Sequence, residues 1–215
     1  GISLANLGAD FGVIGNEAVI SNSDGRAYGI EFLAQQRLFN DFYGIAALTL
    51  VRSEFTNPNT EGFIPSSWDN RIILSLTAGK RFKKNWEIGA RWRYLGGTPY
   101  TPFDVEESAL ISNWDLRNQG ILDFTQINGE RLPAFHQLDL RVDKKYYFKN
   151  WNLNWYFDIQ NAYNFEAQQA PLLVPERDDA GDLVVNPNDP SRYQLKLIEN
   201  TAGNILPTIG LIIEF

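Results

Sequence analysis

The sequence has no cysteine and a single histidine. Without thiols there is no disulfide frame, no thiolate zinc site and no cysteine nucleophile, and any histidine-dependent catalysis or metal site has to centre on His136. A hydrolase of the nucleophile-elbow type is not encoded, because no Gly-x-Ser-x-Gly run occurs. No enzyme activity is expected. Basic charge is also short. The 19 Lys and Arg face 26 Asp and Glu, for a net charge of −7, which excludes a nucleic-acid partner that would want clustered cations against its phosphates. Long apolar runs are missing too. The apolar runs are short pieces such as Ile72 to Leu74 and Gly210 to Ile213, far below the roughly 18 residues of a membrane-spanning helix. There is no initiator Met and no charged-then-apolar leader. Gly1 opens a polar, Gly-rich stretch, so the true N-terminus and any export signal are expected upstream.

What the sequence does have is alternation with period two, the mark of strands with two unlike faces. Trp86, Ile88, Ala90, Trp92 and Tyr94 oppose Glu87, Gly89, Arg91, Arg93 and Leu95. Leu138, Leu140 and Val142 oppose Gln137, Asp139, Arg141, Asp143 and Lys145. Trp151, Leu153, Trp155, Phe157 and Ile159 oppose Asn152, Asn154, Tyr156, Asp158 and Gln160. Weaker versions occupy 70–82 and the C-terminus, and Tyr28, Ile30 and Phe32 oppose Glu31, Gln35 and Arg37 near the start. Residues 43–55 read as a strand with mixed faces. These runs are about 9 to 13 residues long, whereas soluble strands cluster near 5 or 6 and tilted membrane strands need about 9 to 11.

The connections alternate between tight and long. Short turns fall at Phe39 to Phe42, Phe82 to Trp86 and Phe148 to Trp151, and long connections rich in Pro, Gly, Asn and Asp at 56–68, 96–134 and 161–204. Outer-membrane barrels have this asymmetry, with short turns in the periplasm and long loops outside. Phe39, Phe42, Phe82, Trp86, Tyr146, Phe148, Trp151 and Phe215 gather at the short-turn end as one interfacial girdle, and Trp92 and Tyr94 belong to the opposite one. The expected fold is therefore all-β, an antiparallel transmembrane β-barrel. About seven strands are too few and odd in number for a closed bacterial barrel, so residues 1–215 read as the C-terminal portion of a larger one.

Several runs carry a resemblance: Gly25 to Glu31, Trp68-Asp69-Asn70-Arg71, Gly96 to Pro102, Phe135 to Arg141, Asp158 to Asn161 and the terminal Gly210 to Phe215. From about Asp24 to Phe215 the chain resembles the C-terminal barrel of TonB-dependent outer-membrane receptors; one departure is Ile72, where such receptors often carry His. The resemblance implies a barrel of roughly 22 strands with an N-terminal plug that this chain lacks. It also implies energised ligand uptake through the TonB complex and residence in the bacterial outer membrane. Implied partners are outer-membrane lipid, the plug of the same parent protein, TonB and the barrel-assembly machinery. No cofactor is expected.

Within that reading, Arg91, Arg93, Asp139, Arg141 and Asp143 face the wet lumen, because a charge at the bilayer midplane costs about 2–4 kcal/mol. Leu140→Arg is expected to block folding into bilayers and Asp139→Asn to be mild. Trp68, Tyr100 and Trp114 are loop candidates for stacking on a ligand, with loop packing as the competing role. The acidic stretch 176–182 lacks the spacing of an EF-hand calcium loop and reads as a turn; no metal site is expected. Phe215 is the expected assembly signal. The competing readings are a soluble antiparallel β module that binds a ligand, and a non-energised outer-membrane pore.

Overall fold

The computed structural model describes residues 22–57 and 61–215 in full, and the backbone of Ile2–Ser3 and Val19–Ile20, which form a short parallel pair. The Gly-rich opening of the chain and residues 58–60 of the first long loop lie outside the described residues. Strand dominates, at 61% against 9% helix, so the chain is all-β.

Seven long strands form one antiparallel meander: β1 Gly25–Phe39, β2 Phe42–Thr56, β3 Ile72–Phe82, β4 Trp86–Leu95, β5 Phe135–Tyr147, β6 Asn152–Gln160 and β7 Leu206–Glu214. Each pairs with its neighbours in sequence. A three-residue strand, Phe63–Pro65, extends the sheet beside β2. The sheet is open among the described residues, with β1 and β7 as its edges. β1 and β2 run to 15 residues each, longer than the alternation alone marks out.

The short turns have the backbone that tight hairpins demand. Asn40 and Asp41 both take positive φ, 51° and 63°, as a two-residue loop matching the strand twist requires. Lys84 and Asn85 do the same between β3 and β4, at 63° and 61°, and Phe148 N–H donates to Trp151 O at 3.0 Å in the third turn.

Register sorts the side chains into two faces. In the pairing, Phe32↔Leu48↔Leu74↔Tyr94↔His136 runs across five strands, and Leu211↔Trp155↔Lys144↔Trp86↔Phe82 across the other end. The face holding Leu76, Ile88, Leu140, Phe157 and Ile209 is predominantly apolar, with Lys80 and Lys144 at its short-turn end. The reverse face carries Glu87, Arg91, Arg93, Asp139, Arg141, Asp143 and Asp158. Pairing also resolves the mixed strand β2: Phe42, Ala46, Leu48 and Leu50 fall on the apolar face, while Tyr43, Ile45, Ala47 and Thr49 fall on the polar one.

The connections at the other end are not structureless. Residues 96–134 contain helices α1 Val105–Ala109 and α2 Ile111–Arg117. Asp104 caps α1 by accepting from Glu107 N–H at 2.9 Å, satisfying a free helix-start donor. Residues 161–204 contain a hairpin of Ala167–Pro175 against Leu195–Ala202. The two loops bind each other: Tyr193 N–H donates to Ala109 O at 2.8 Å and Ile111 N–H to Ser191 O at 3.0 Å. Trp114 and Leu173 are buried, at 5% and 7% exposure. Buried apolar side chains thus occur in the loop cap and at the loop end of the sheet, whereas nothing among the described residues covers the apolar face of the meander. Ile30, Leu76, Ile88, Ile209 and Leu211 are all exposed.

Candidate functional site

The polar face and the loop cap above it form the candidate site. Strand alternation delivers the expected lumen residues to one surface and register joins them into two clusters. Asp139, on β5, accepts from Arg91 Nη2 at 3.1 Å and Arg93 Nη2 at 3.2 Å, both on β4, from Gln137 Nε2 at 2.6 Å and from Asn161 N–H at 3.1 Å. Arg141 pairs with Asp143 at 2.8 Å, and Asn154 Nδ2 donates to Asp143 at 2.8 Å from β6. The Arg141 guanidinium sits 4.1 Å above the Tyr156 ring. Asp139 is therefore a four-partner hub, in which one carboxylate answers two guanidinium groups, an amide side chain and a backbone N–H.

Between the clusters a depression of ≈ 330 Å³ opens over Gly89, flanked by Tyr43, Arg91, Asp139, Arg141 and Asp158. Arg91 and Arg141 present guanidinium groups to this depression and Asp139 and Asp158 present carboxylates. The surface thus offers donors and acceptors of both signs, suited to polar matter and not to hydrocarbon. Tyr43 was not apparent from sequence. Its hydroxyl donates to Glu87 Oε1 at 2.6 Å, and Arg81 pairs with Glu87 at 3.2 Å.

At the rim, the run Trp68 to Arg71 places a fully buried carboxylate. Asp69 Oδ2 is 2.8 Å from Arg131, 3.4 Å from Arg52 and 3.6 Å from Arg71, while Oδ1 accepts from Ser53 N–H at 3.0 Å. Arg131 also donates to the carbonyls of Asp69 and Gly97. One carboxylate therefore ties β2, the first long loop and the second. The only signal for it in the sequence was the Trp-Asp-Asn-Arg run, since its partners come from three separate segments.

The structure does not bring the three loop aromatics to equivalent positions. Trp68 is 60% exposed and free to meet a ligand. Tyr100 is half-buried and paired in register with Glu130; burial, then the Glu130 charge, raises its phenol pKa. Trp114 is buried and taken up in packing the cap. In the cap, Tyr193 donates to Asp115 at 3.0 Å, which raises its pKa. Asp189 is held below the usual carboxylate range, chiefly by the Ser191 hydroxyl.

His136 meets Tyr163 Oη at 2.7 Å and packs on Phe165 at 4.0 Å between ring centres. A serine is not among its hydrogen-bond partners within the described residues. In the acidic stretch, Asp178 accepts from the N–H groups of Ala180 and Asp182, both at 2.9 Å, so this carboxylate closes a turn. Phe215 lies fully exposed beyond β7. No protein-family model matches this chain, and no curated protein matches it.

Proposed function

We propose that the chain is the C-terminal strand set of an outer-membrane β-barrel receptor that takes up its ligand by TonB-energised transport. The observation that carries this reading is the division of the open sheet into one uncovered apolar face and one charged face, along strands of 9 to 15 residues. An uncovered apolar surface spanning seven strands is an aggregation hazard in water and a match for lipid. The charged face is its complement, a lumen wall. In this reading β1 and β7 pair with strands of the parent barrel, of roughly 22 strands, and the plug and TonB contacts lie in other parts of the parent. Folded loops on the outer side carry ligand recognition, with exposed Trp68 as one contact.

Adjacent positions on one strand test the membrane half. Leu76 and Thr77 differ only in the face they occupy, so Leu76→Arg should abolish insertion of the parent protein into lipid vesicles while Thr77→Arg inserts nearly as well as wild type; Leu140→Arg should behave as Leu76→Arg. Equal insertion of both variants, or a folded, monodisperse chain in plain buffer, sinks the reading in favour of a soluble β module. Site-specific crosslinking of the parent protein to TonB in cells tests the energised half. Absence of an adduct leaves a non-energised pore.

A further inference from the structure

We infer that the short-turn end of the sheet carries a lysine collar that binds the headgroups of anionic phospholipids; the inference rests on the membrane reading above. Five of the seven lysines, Lys80, Lys83, Lys84, Lys144 and Lys149, form this collar within a few residues of a short turn, whereas Lys145 lies on the charged face of β5 and Lys196 in the loop cap. All ten ion pairs among the described residues are made by arginine. The ammonium groups of the collar are therefore uncompensated by any carboxylate in ion-pair contact.

Their placement is specific. Lys80 and Lys144 are the two charged side chains on the apolar face below Arg52, in register with Ile88 and Trp86 respectively. Both turn toward the aromatic level. Lys144 Nζ lies 5.3 Å from the Trp86 ring centre and 5.2 Å from that of Tyr146, and it donates to the carbonyl of Lys84. Lys80 Nζ lies 5.6 Å from the Phe82 ring. This is the posture of a lysine that lays its alkyl stem on an apolar surface and lifts its ammonium to the headgroups. Lys83, Lys84 and Lys149 lie exposed in the adjacent turns.

The charge asymmetry argues against a general solubilising role. The loops 96–134 and 161–204 hold thirteen carboxylates against five cations, and the chain as a whole is acidic. Positive charge is thus concentrated where interfacial aromatics mark the membrane boundary. An ammonium set beside such rings matches a phosphodiester carrying net negative charge, and clustered lysines next to a membrane segment are the usual complement of an anionic lipid surface.

The test is tryptophan quenching of the parent protein reconstituted in phosphatidylcholine vesicles doped with either brominated phosphatidylglycerol or brominated phosphatidylcholine. Wild type should associate with the anionic lipid about five-fold more tightly or better, and the preference should shrink in high salt. Lys80→Gln/Lys144→Gln should bring the ratio close to one. Lys83→Gln/Lys149→Gln, which alters no strand, should lower it as well and keeps the test decisive if the first pair disturbs folding. Lys196→Gln should leave it unchanged. Equal association of wild type with both lipids, or an equal loss in Lys196→Gln, overturns the collar. No quenching by either brominated lipid overturns the membrane reading itself, which makes the two failures distinguishable.

Discussion

The ring of Tyr43 lies across Gly79, its register partner on the next strand, so that a Cβ at 79 would coincide with the phenol. Gly79 leaves a gap over the backbone that lets the ring pass, and the hydroxyl reaches Glu87 one strand further on at 2.6 Å. The pair Tyr156 and Gly210 repeats the arrangement between β6 and β7. A bare glycine in a strand weakens it, and an aromatic neighbour covering it restores packing.

The first prediction concerns this pair. Gly79→Ala should displace the Tyr43 ring, break its bond to Glu87 and cost about 1–3 kcal/mol, the usual range for overpacking. Gly89→Ala should be nearly neutral, since its Cβ would meet only Ala78 O at 3.9 Å. Urea unfolding measures both. Adding Tyr43→Ala should remove the penalty at 79, and a full penalty in that double variant would show that the ring is not its cause.

These relations explain what sequence could and could not reveal. Period-two alternation marked β4, β5 and β6 because each keeps mostly polar residues on one face and apolar ones on the other. β2 stayed ambiguous because Ile45, Ala47 and Val51 are apolar on the polar side, and only pairing with β3 decides which face is which. The Ala167–Pro175 hairpin was hidden, since its partner strand begins twenty residues later and two prolines break the pattern. The charged residues Arg91, Arg93, Asp139, Arg141 and Asp143 were legible as a face but not as two clusters. That Arg91 and Arg93 meet Asp139 depends on register between strands separated by a long loop. Asp69 and Tyr43 were illegible as hubs for the same reason, because their partners are distant in sequence.

The second prediction concerns Asp69. Its carboxylate is fully buried and answers three arginines and the Ser53 amide. Removing the charge strands cations that were placed to meet it, and breaking such a buried network costs about 3–5 kcal/mol. Asp69→Asn should therefore loosen the loop cap while leaving the lower sheet paired. Hydrogen exchange should rise in 61–71 and 96–134 and stay unchanged in 86–95. Protection equal to wild type in both loops would mean that the carboxylate does not fasten them.

The last prediction concerns the C-terminus. β7 presents Pro207, Ile209, Leu211 and Ile213 on the apolar face, and Phe215 follows with 100% exposure. The strand's other edge is unpaired among the described residues. In the barrel proposed above, such an edge is a template for strand addition before closure: backbone groups supply affinity and alternate side chains supply selectivity. A terminal aromatic fixes the register in which the strand is captured. Phe215 is also placed to join the girdle of Phe82, Trp86 and Phe148 at the same end of the sheet, and the two roles separate on timing. Deleting Phe215 from the parent protein should lower its outer-membrane level several-fold, while molecules that do assemble keep wild-type thermal stability and ligand binding. If assembly yield and kinetics are unchanged but the unfolding midpoint falls, Phe215 serves the girdle and not the capture step.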